Sequence, residues 1–326
     1  MDTAQYAKAH RFLKLQKFTP AIQTFIRLLE SDDLTADERD ACIHNRDDAI
    51  MLREVCRHLP PFPMPEIKCD WRIPPLRSGT QNIVFFHVDH GESHPFLTAK
   101  DHVDYRAVLK AACAVALRSH PKSAIIVLTN DSTVTPEISA QVVRLPVSAE
   151  RMMFDRMRAY RALISSRELT GPTMFLDTDV LLNGSLMPLF NEAFDVALTY
   201  RDNFWHMPFN EGMILAGSGD SPRALQFFTE ALSLYEWLSK NPAVHERYGF
   251  NVKAWRGGQL SIAALMNWER PEAGTAIRTI RGVKYKLLPC DPFNYPVSPG
   301  DTRETLTSKW ALHFKGAAAK SLIPAE

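Results

Sequence analysis

The chain has 326 residues, 45% hydrophobic and 23% charged, the composition of an ordinary globular protein long enough for one large domain and an extension. Its formal net charge of +1 and isoelectric point near 7.7 supply no global field to draw in nucleic acid or an acidic membrane, so any anion must be held by a local site. Five cysteines, Cys42, Cys56, Cys69, Cys113 and Cys290, are odd in number, scattered and without CxxC spacing; they read as reduced thiols of a cytoplasmic protein, not as a disulfide frame or zinc site.

The opening "MDTAQYAKAHRFLKLQ" is too polar for a signal peptide, and no apolar run approaches the roughly 20 residues that span a bilayer, so a soluble, cytoplasmic protein without a transmembrane segment is expected. From 3 to 59 the apolar residues Ala7, Phe12, Leu13, Phe18, Ala21, Ile22, Phe25, Leu28 and Leu29 recur at helical intervals, and "SDDLTADERD" interrupts them with a capping-type start. The piece "LKLQKFTPAIQTFIRLLES" resembles one tetratricopeptide unit, with Phe18, Ala21 and Phe25 at matching positions, but a single unit cannot build a solenoid. Residues 1–59 are therefore predicted as a helical cap on the main domain, with a protein-partner module as the alternative. The prolines of "LPPFPMPEIKCDWRIPPLRSG" can neither continue a helix nor sit inside a sheet, which makes 60–79 an extended linker and 80–326 the main domain.

Beyond the linker, strand and helix patterns alternate. Apolar runs at 82–89 ("NIVFFHVD"), 123–131 ("SAIIVLTND"), 140–147 ("AQVVRLPV") and 173–182 ("TMFLDTDVLL") are separated by helical patterns at 101–119 and 150–168. Such alternation predicts an α/β fold whose mostly parallel sheet is covered by helices on both faces, with ligands bound beyond the carboxyl ends of the strands. Asp177 and Asp179 fall where the fourth strand ends, and an extended backbone would point both carboxylates the same way. Two carboxylates sharing a face repel one another beside a core unless a cation lies between or beyond them. The economical reading is a divalent metal site suited to Mg²⁺ or Mn²⁺, set against solvated turn residues or a helix cap.

The stretch "YRALISSRELTGPTMFLDTDVLLNGSLMPLF" resembles the DxD region of A-type (GT-A fold) glycosyltransferases, especially the glycogenin and lipopolysaccharide galactosyltransferase group. Three further stretches follow in the family's order: "FNEGMILA" is similar to its Phe-Asn-x-Gly strand, "RGGQLSIAAL" stands where it has an Asp-Gln helix start, and "HFKG" is similar to its C-terminal His-x-x-Gly. The resemblance runs from 82 to 320 and leaves the N-terminal helices outside. It implies a Rossmann-like nucleotide-binding half, a nucleotide-diphosphate sugar donor, with UDP as the nucleotide, and a metal, Mn²⁺ or Mg²⁺, that offsets charge on the departing diphosphate. The implied acceptor is a saccharide, a lipid-linked saccharide or a protein. Asp179 and His313 are implied as direct metal ligands, with Asp177 binding the metal or the donor ribose.

Further roles follow from the same resemblance. Arg161, on the helix before the DxD strand, matches a donor-contacting arginine, while Arg151, Asp155, Arg156 and Arg158 read as a solvated charged face. His87 and Asp89 end the first strand, where this fold holds base and ribose. Lys315 and Lys320 are candidates to neutralise the diphosphate, although the family's lysine position is Ala319 here. Asn210 and Gln259 suit sugar hydroxyls, because neutral amides both donate and accept. Two departures stand out: Glu211 occupies the third position of Phe-Asn-x-Gly, and Gly258 replaces the aspartate before Gln259. Glu211 is thus a candidate acceptor-binding carboxylate or base that compensates for the lost aspartate. In "RDNFWHMPFNEG", Phe204, Trp205 and Phe209 are candidates for an acceptor-stacking surface, and the loops at 201–209 and 255–259 are expected to shape specificity. Two rival readings remain: a haloacid dehalogenase-like phosphatase with Asp177 as nucleophile, and a non-catalytic interaction protein with a degenerate transferase domain.

Overall fold

A computed structural model describes residues 1–77, 79–89, 103–202, 204–248 and 257–323; the start of the helix predicted from 101, and Trp255 and Arg256 of the second specificity loop, lie outside the described residues. In chain order the elements are α1 (Thr3–Lys14), α2 (Phe18–Leu29), α3 (Ala36–His58), β1 (Gln81–Phe86), α4 (Tyr105–Ser119), β2 (Ser123–Thr129), β3 (Gln141–Arg144), α5 (Met152–Ser165), β4 (Thr173–Asp177), β5 (Val180–Leu182), β6 (Val196–Tyr200) and β7 (Phe209–Ala216). They continue with α6 (Pro222–Lys240), α7 (Pro242–Tyr248), α8 (Gly257–Leu265), β8 (Ala276–Ile280), β9 (Val283–Pro289), α9 (Cys290–Phe293), β10 (Tyr295–Pro296), α10 (Arg303–Thr307), β11 (Ala311–His313) and α11 (Gly316–Lys320).

The main sheet has eight strands in the order β3-β2-β1-β4-β7-β6-β9-β8. Strands β1 to β4 run parallel, as do β6 and β9, while β7 and β8 run against their neighbours. This is the α/β, mostly parallel arrangement expected from the sequence. Successive strand residues enter opposite apolar clusters: Val84, Phe86, Ile126, Leu128 and Phe175 face one side, and Ile83, Phe85, Ile125, Val127, Met174 and Leu176 the other. Apolar runs unbroken by polar residues are what a strand buried on both faces requires. On the first side, Tyr160 of α5 and Phe228 of α6 close over Phe175 with ring centroids at 4.6 and 5.1 Å. Each buried ring contributes about 1.5–3 kcal/mol, which seats β4 firmly and with it the carboxylate at its end.

Helix α3 begins at a capping box in which Thr35 and Glu38 satisfy each other's backbone N–H groups. Ala9 and Leu13 of α1, Phe18, Ala21 and Phe25 of α2 and Leu52 and Val55 of α3 belong to the same apolar cluster as the first face of the sheet. The described residues of the proline-rich segment have no regular structure, yet Ile67, Trp71, Ile73 and Leu76 pack against that cluster, and Trp71 lies under the Arg158 guanidinium at 4.3 Å. All five cysteines are free thiols. Among the described residues no helix is long and apolar enough to cross a membrane.

The run expected as one strand over 173–182 is two. β4 ends at Asp177, the chain turns through Thr178 and Asp179, and β5 enters a separate three-stranded sheet ordered β10-β11-β5. The apolar "VLL" after the acidic pair therefore covers the second core cluster instead of prolonging the strand. Within the small sheet β11 lies antiparallel to β5, with His313 opposite Val180.

Candidate metal centre and substrate cleft

The turn between the two sheets makes the site. With the backbone bent, Asp177 and Asp179 converge through the turn instead of along an extended strand, and pairing of β11 with β5 brings His313 to them across 134 residues of sequence separation. The Phe314 N–H donates to the Asp179 carbonyl at 2.9 Å and fixes the register. One ligand atom from each of Asp177, Asp179 and His313 lies within 4.8 Å of the others, and His313 Nε2 is 3.4 Å from Asp179 Oδ1. Gly212 of β7 leaves the room they need: a Cβ there would stand 2.5 Å from His313 Cε1 and 3.0 Å from Asp177 Oδ2. That is a physical reason for glycine at the fourth position of Phe-Asn-x-Gly.

A buried hydrogen-bond chain orients the imidazole. The Thr199 hydroxyl donates to the Asn210 carbonyl at 3.1 Å and accepts from Asn294 Nδ2 at 2.9 Å. The Asn294 Oδ1 that remains is 2.9 Å from His313 Nδ1. An amide oxygen only accepts, so Nδ1 carries a proton and Nε2 is the ring nitrogen turned toward Asp179, the one a metal would take. Two carboxylates and an imidazole so oriented fit a divalent cation such as Mn²⁺ or Mg²⁺, with Asn294 as the outer partner that holds the ring.

Cations surround the acidic pair. Lys320 Nζ lies 2.6 Å from Asp179 Oδ2. Burial works to raise the Asp179 pKa, but His313 and Lys320 outweigh it and hold the carboxyl below the usual range. Asp177 accepts from Arg156, whose other terminal nitrogen is 2.8 Å from Glu211 Oε1. Arg156 is thus a buried bridge between two carboxylates, not part of a solvated face. Burial works to lower its pKa, and Glu211 with Asp177 reverses that. Burial pushes the Glu211 carboxyl upward against the pull of Arg156.

Glu211 also fills the space that the missing aspartate leaves. A Cβ on Gly258 would stand 1.9 Å from Glu211 Oε2 and 2.7 Å from its Cδ. A carboxylate from β7 therefore lies directly over the start of α8, where no side chain projects from position 258. Next to it, the buried Gln259 accepts through Oε1 from Arg201, which is also bonded to the carbonyls of Met207 at 2.7 Å and Phe209 at 3.2 Å. Asn210, also buried, accepts from the Gly212 N–H at 2.9 Å, while its Nδ2 donor has no partner among the described residues.

His87 and Asp89 follow β1, whose Phe86 is in register with Asp177 on the neighbouring strand. His87 is buried, its Nε2 has no hydrogen-bond partner among the described residues, and burial lowers its pKa. Asp89 is held by Arg106 at 2.6 Å and, through its N–H, by the Thr133 hydroxyl at 2.8 Å. Lys315 is open to solvent at the cleft yet crowded by surrounding protein, which, with Arg201, lowers its pKa against the attraction of Cys290, Asp177 and Asp179. Arg161 is engaged elsewhere, with Glu66 of the proline-rich segment and Thr229 of α6 at 3.1 Å; it is Arg156 that meets Asp177. Arg156, Arg201, Thr199 and Asn294 are the site residues that sequence reasoning passed over. Of the aromatic residues proposed for stacking, Trp205 and Phe209 are buried and Phe204 is 41% exposed.

No protein-family model matches the chain, and no curated protein does. Among solved structures it is similar to the glycosyltransferase GlyE of Streptococcus pneumoniae TIGR4, at 17% identity over 58% of this chain and 43% of that one, with a TM-score of 0.39. It is also similar to a glycosyltransferase involved in glycosylation of the major capsid of PBCV-1, at 13% identity over 74% of this chain and 98% of that one, with a TM-score of 0.44. A third is the galactosyltransferase LgtC in complex with donor and acceptor sugar analogs, at 13% identity over 72% of this chain and 87% of that one, with a TM-score of 0.37. The chain spans less than half the length of the first of these proteins.

Proposed function

We propose that this protein is a metal-dependent glycosyltransferase that moves a sugar from a nucleoside-diphosphate sugar, a uridine one, to a saccharide, lipid-linked saccharide or protein acceptor. The observation that carries the reading is the convergence of Asp177, Asp179 and a correctly polarised His313 at the carboxyl end of β4, with Lys320 against them. When bound there, Mn²⁺ or Mg²⁺ would offset the negative charge that builds on the departing diphosphate.

The chain's own residues divide the remaining work. Asn294 holds the His313 ring, and Lys320 and Lys315 add positive charge where diphosphate oxygens would lie. Lys320 serves this role one position later than the resemblance expects, because α11 ends on it beside Asp179. The buried His87, whose Nε2 has no partner among the described residues, and the neighbouring Asp89 supply polar groups for the nucleoside beyond β1. Asn210 and Gln259 offer amides to sugar hydroxyls, and Glu211, fixed by Arg156, provides the carboxylate on the β7 side of the cleft.

Thermal stabilisation by a panel of nucleoside diphosphates with and without Mn²⁺ tests the reading. Stabilisation by one of them that requires the metal is expected. Its absence for every nucleotide, or hydrolysis of a simple phosphomonoester, would remove the reading and, in the second case, favour the phosphatase alternative.

A further inference from the structure

The N-terminal helices do more than cover apolar surface. Helix α3 reaches past the sheet to the loop 201–208 that joins β6 to β7, the two strands bearing Thr199 and Asn210. The Asn45 Oδ1 accepts from the Trp205 indole N–H at 2.9 Å. Three residues on, wholly buried Asp48 accepts from Arg247 Nε of α7 at 2.8 Å and lies 3.7 Å from His206 Nδ1 and 3.4 Å from His44 Nε2. A buried carboxylate is retained only with partners of this kind, and here they come from α3, α7 and the loop. The backbone of the same loop is gripped once more, where the Trp268 indole N–H donates to the His206 carbonyl at 3.0 Å. Gln16, between α1 and α2, holds the adjoining Asn267 carbonyl.

The gripped loop leads into the cleft. Its first residue, Arg201, crosses to Gln259 and binds the loop's own carbonyls, and its guanidinium stacks at 4.5 Å on Phe204, the exposed ring of the loop. An exposed aromatic face beside a guanidinium and an amide is a surface for a carbohydrate ring: apolar C–H groups meet the ring and hydroxyls meet the donors. A loop carrying such a surface binds well only if it is held in place before the ligand arrives.

We propose that α3 is a positioning element for the acceptor, with Asn45 and Asp48 holding the 201–208 loop so that Arg201 and Phe204 receive a carbohydrate acceptor. This rests on the glycosyltransferase reading above, and makes the N-terminal helices part of the substrate cleft instead of a separate module. Asn45 and Asp48 touch no substrate; they act through Trp205 and His206.

The test uses the full chain and the variants Asn45→Ala and Asp48→Asn, with Trp205→Phe, which keeps an aromatic ring but loses the indole N–H and part of its bulk, as the second variant should Asp48→Asn not fold. Three quantities are read: Mn²⁺-dependent UDP affinity, amide exchange of 204–208, and retention of labelled protein on a glycan array at saturating UDP and Mn²⁺. The expected result is UDP affinity within twofold of wild type, exchange in the loop at least tenfold faster with 210–216 unchanged, and glycan retention lowered at least fivefold. Unchanged loop exchange, variants retained as well as wild type, or a wild-type protein retained by no glycan overturns the proposal. A wild-type protein that binds no nucleotide would instead remove the transferase reading on which it rests.

Discussion

Replacing Gly258 with alanine is a small change with a large expected effect. The new Cβ would stand 1.9 Å from Glu211 Oε2, 2.7 Å from Cδ and 2.9 Å from Oε1, far inside contact distance. Glu211 is 4% exposed and tied to Arg156 at 2.8 Å, so its carboxylate has little room to swing away. Overpacking of this kind costs about 1–3 kcal/mol, and expelling the carboxylate from a buried ion pair about 3–5 kcal/mol. A loss of about 2–4 kcal/mol is therefore expected, or roughly 3–6 °C in melting temperature for a chain of this size. In a Glu211→Ala background the obstacle is gone. Position 258 lies in α8, where alanine is favoured over glycine by about 0.5–1 kcal/mol, so the same substitution should become neutral or stabilising. Urea unfolding of the four proteins of this cycle measures the coupling, expected to exceed about 2 kcal/mol. Equal effects of Gly258→Ala in the two backgrounds, within about 0.5 kcal/mol, would refute the claim that Glu211 occupies the space above Gly258.

Other consequences are more local. Asn294→Leu removes the acceptor for His313 Nδ1 and frees the ring to turn, so Mn²⁺ affinity measured by calorimetry should fall about 10–100-fold with the fold retained. Gly212→Ala places a Cβ 2.5 Å from His313 Cε1 and should displace the imidazole; metal binding should fall while Gly184→Ala, which meets no atom within 4 Å, serves as the neutral control. His120 accepts the Leu186 N–H through Nε2 at 3.0 Å, and burial lowers its pKa from the ordinary value of 6.5. The unfolded chain then takes up a proton that the folded protein refuses, so stability is lost as pH falls below about 6.5. Unfolding free energies between pH 7.5 and 5 should show this slope, and His120→Asn should reduce it.

The parts of the fold that repeat a pattern were legible in the sequence. Apolar runs such as "IVFF" and "AIIVL" belong to strands buried on both sides, and the prolines of 60–79 forbade regular structure there. The acidic pair was legible because two carboxylates next to "MFL" demand a cation. What was not legible depends on turns and faces. An unbroken apolar run hides the bend at Thr178, since β4 and β5 are each buried in different sheets. Arg156 and Arg161 stand five residues apart, about 140° around α5, and nothing in a charged helix tells which face meets the end of β4. His313 sits in a strand of three residues, too short for any periodicity, and only its resemblance to a His-x-x-Gly element drew notice. Thr199 and Asn294 left no signal at all, because their role lies in partners brought together by the sheet.

Calorimetric titration of UDP into the full-length protein, with and without Mn²⁺, beside the same titration of His313→Ala, bears most directly on the central claim. Metal-dependent binding by the wild-type protein and its loss in the variant, with melting behaviour otherwise preserved, is the predicted result. Nucleotide binding that is indifferent to Mn²⁺, or equal in the variant, would contradict the assignment of Asp177, Asp179 and His313 as one metal centre.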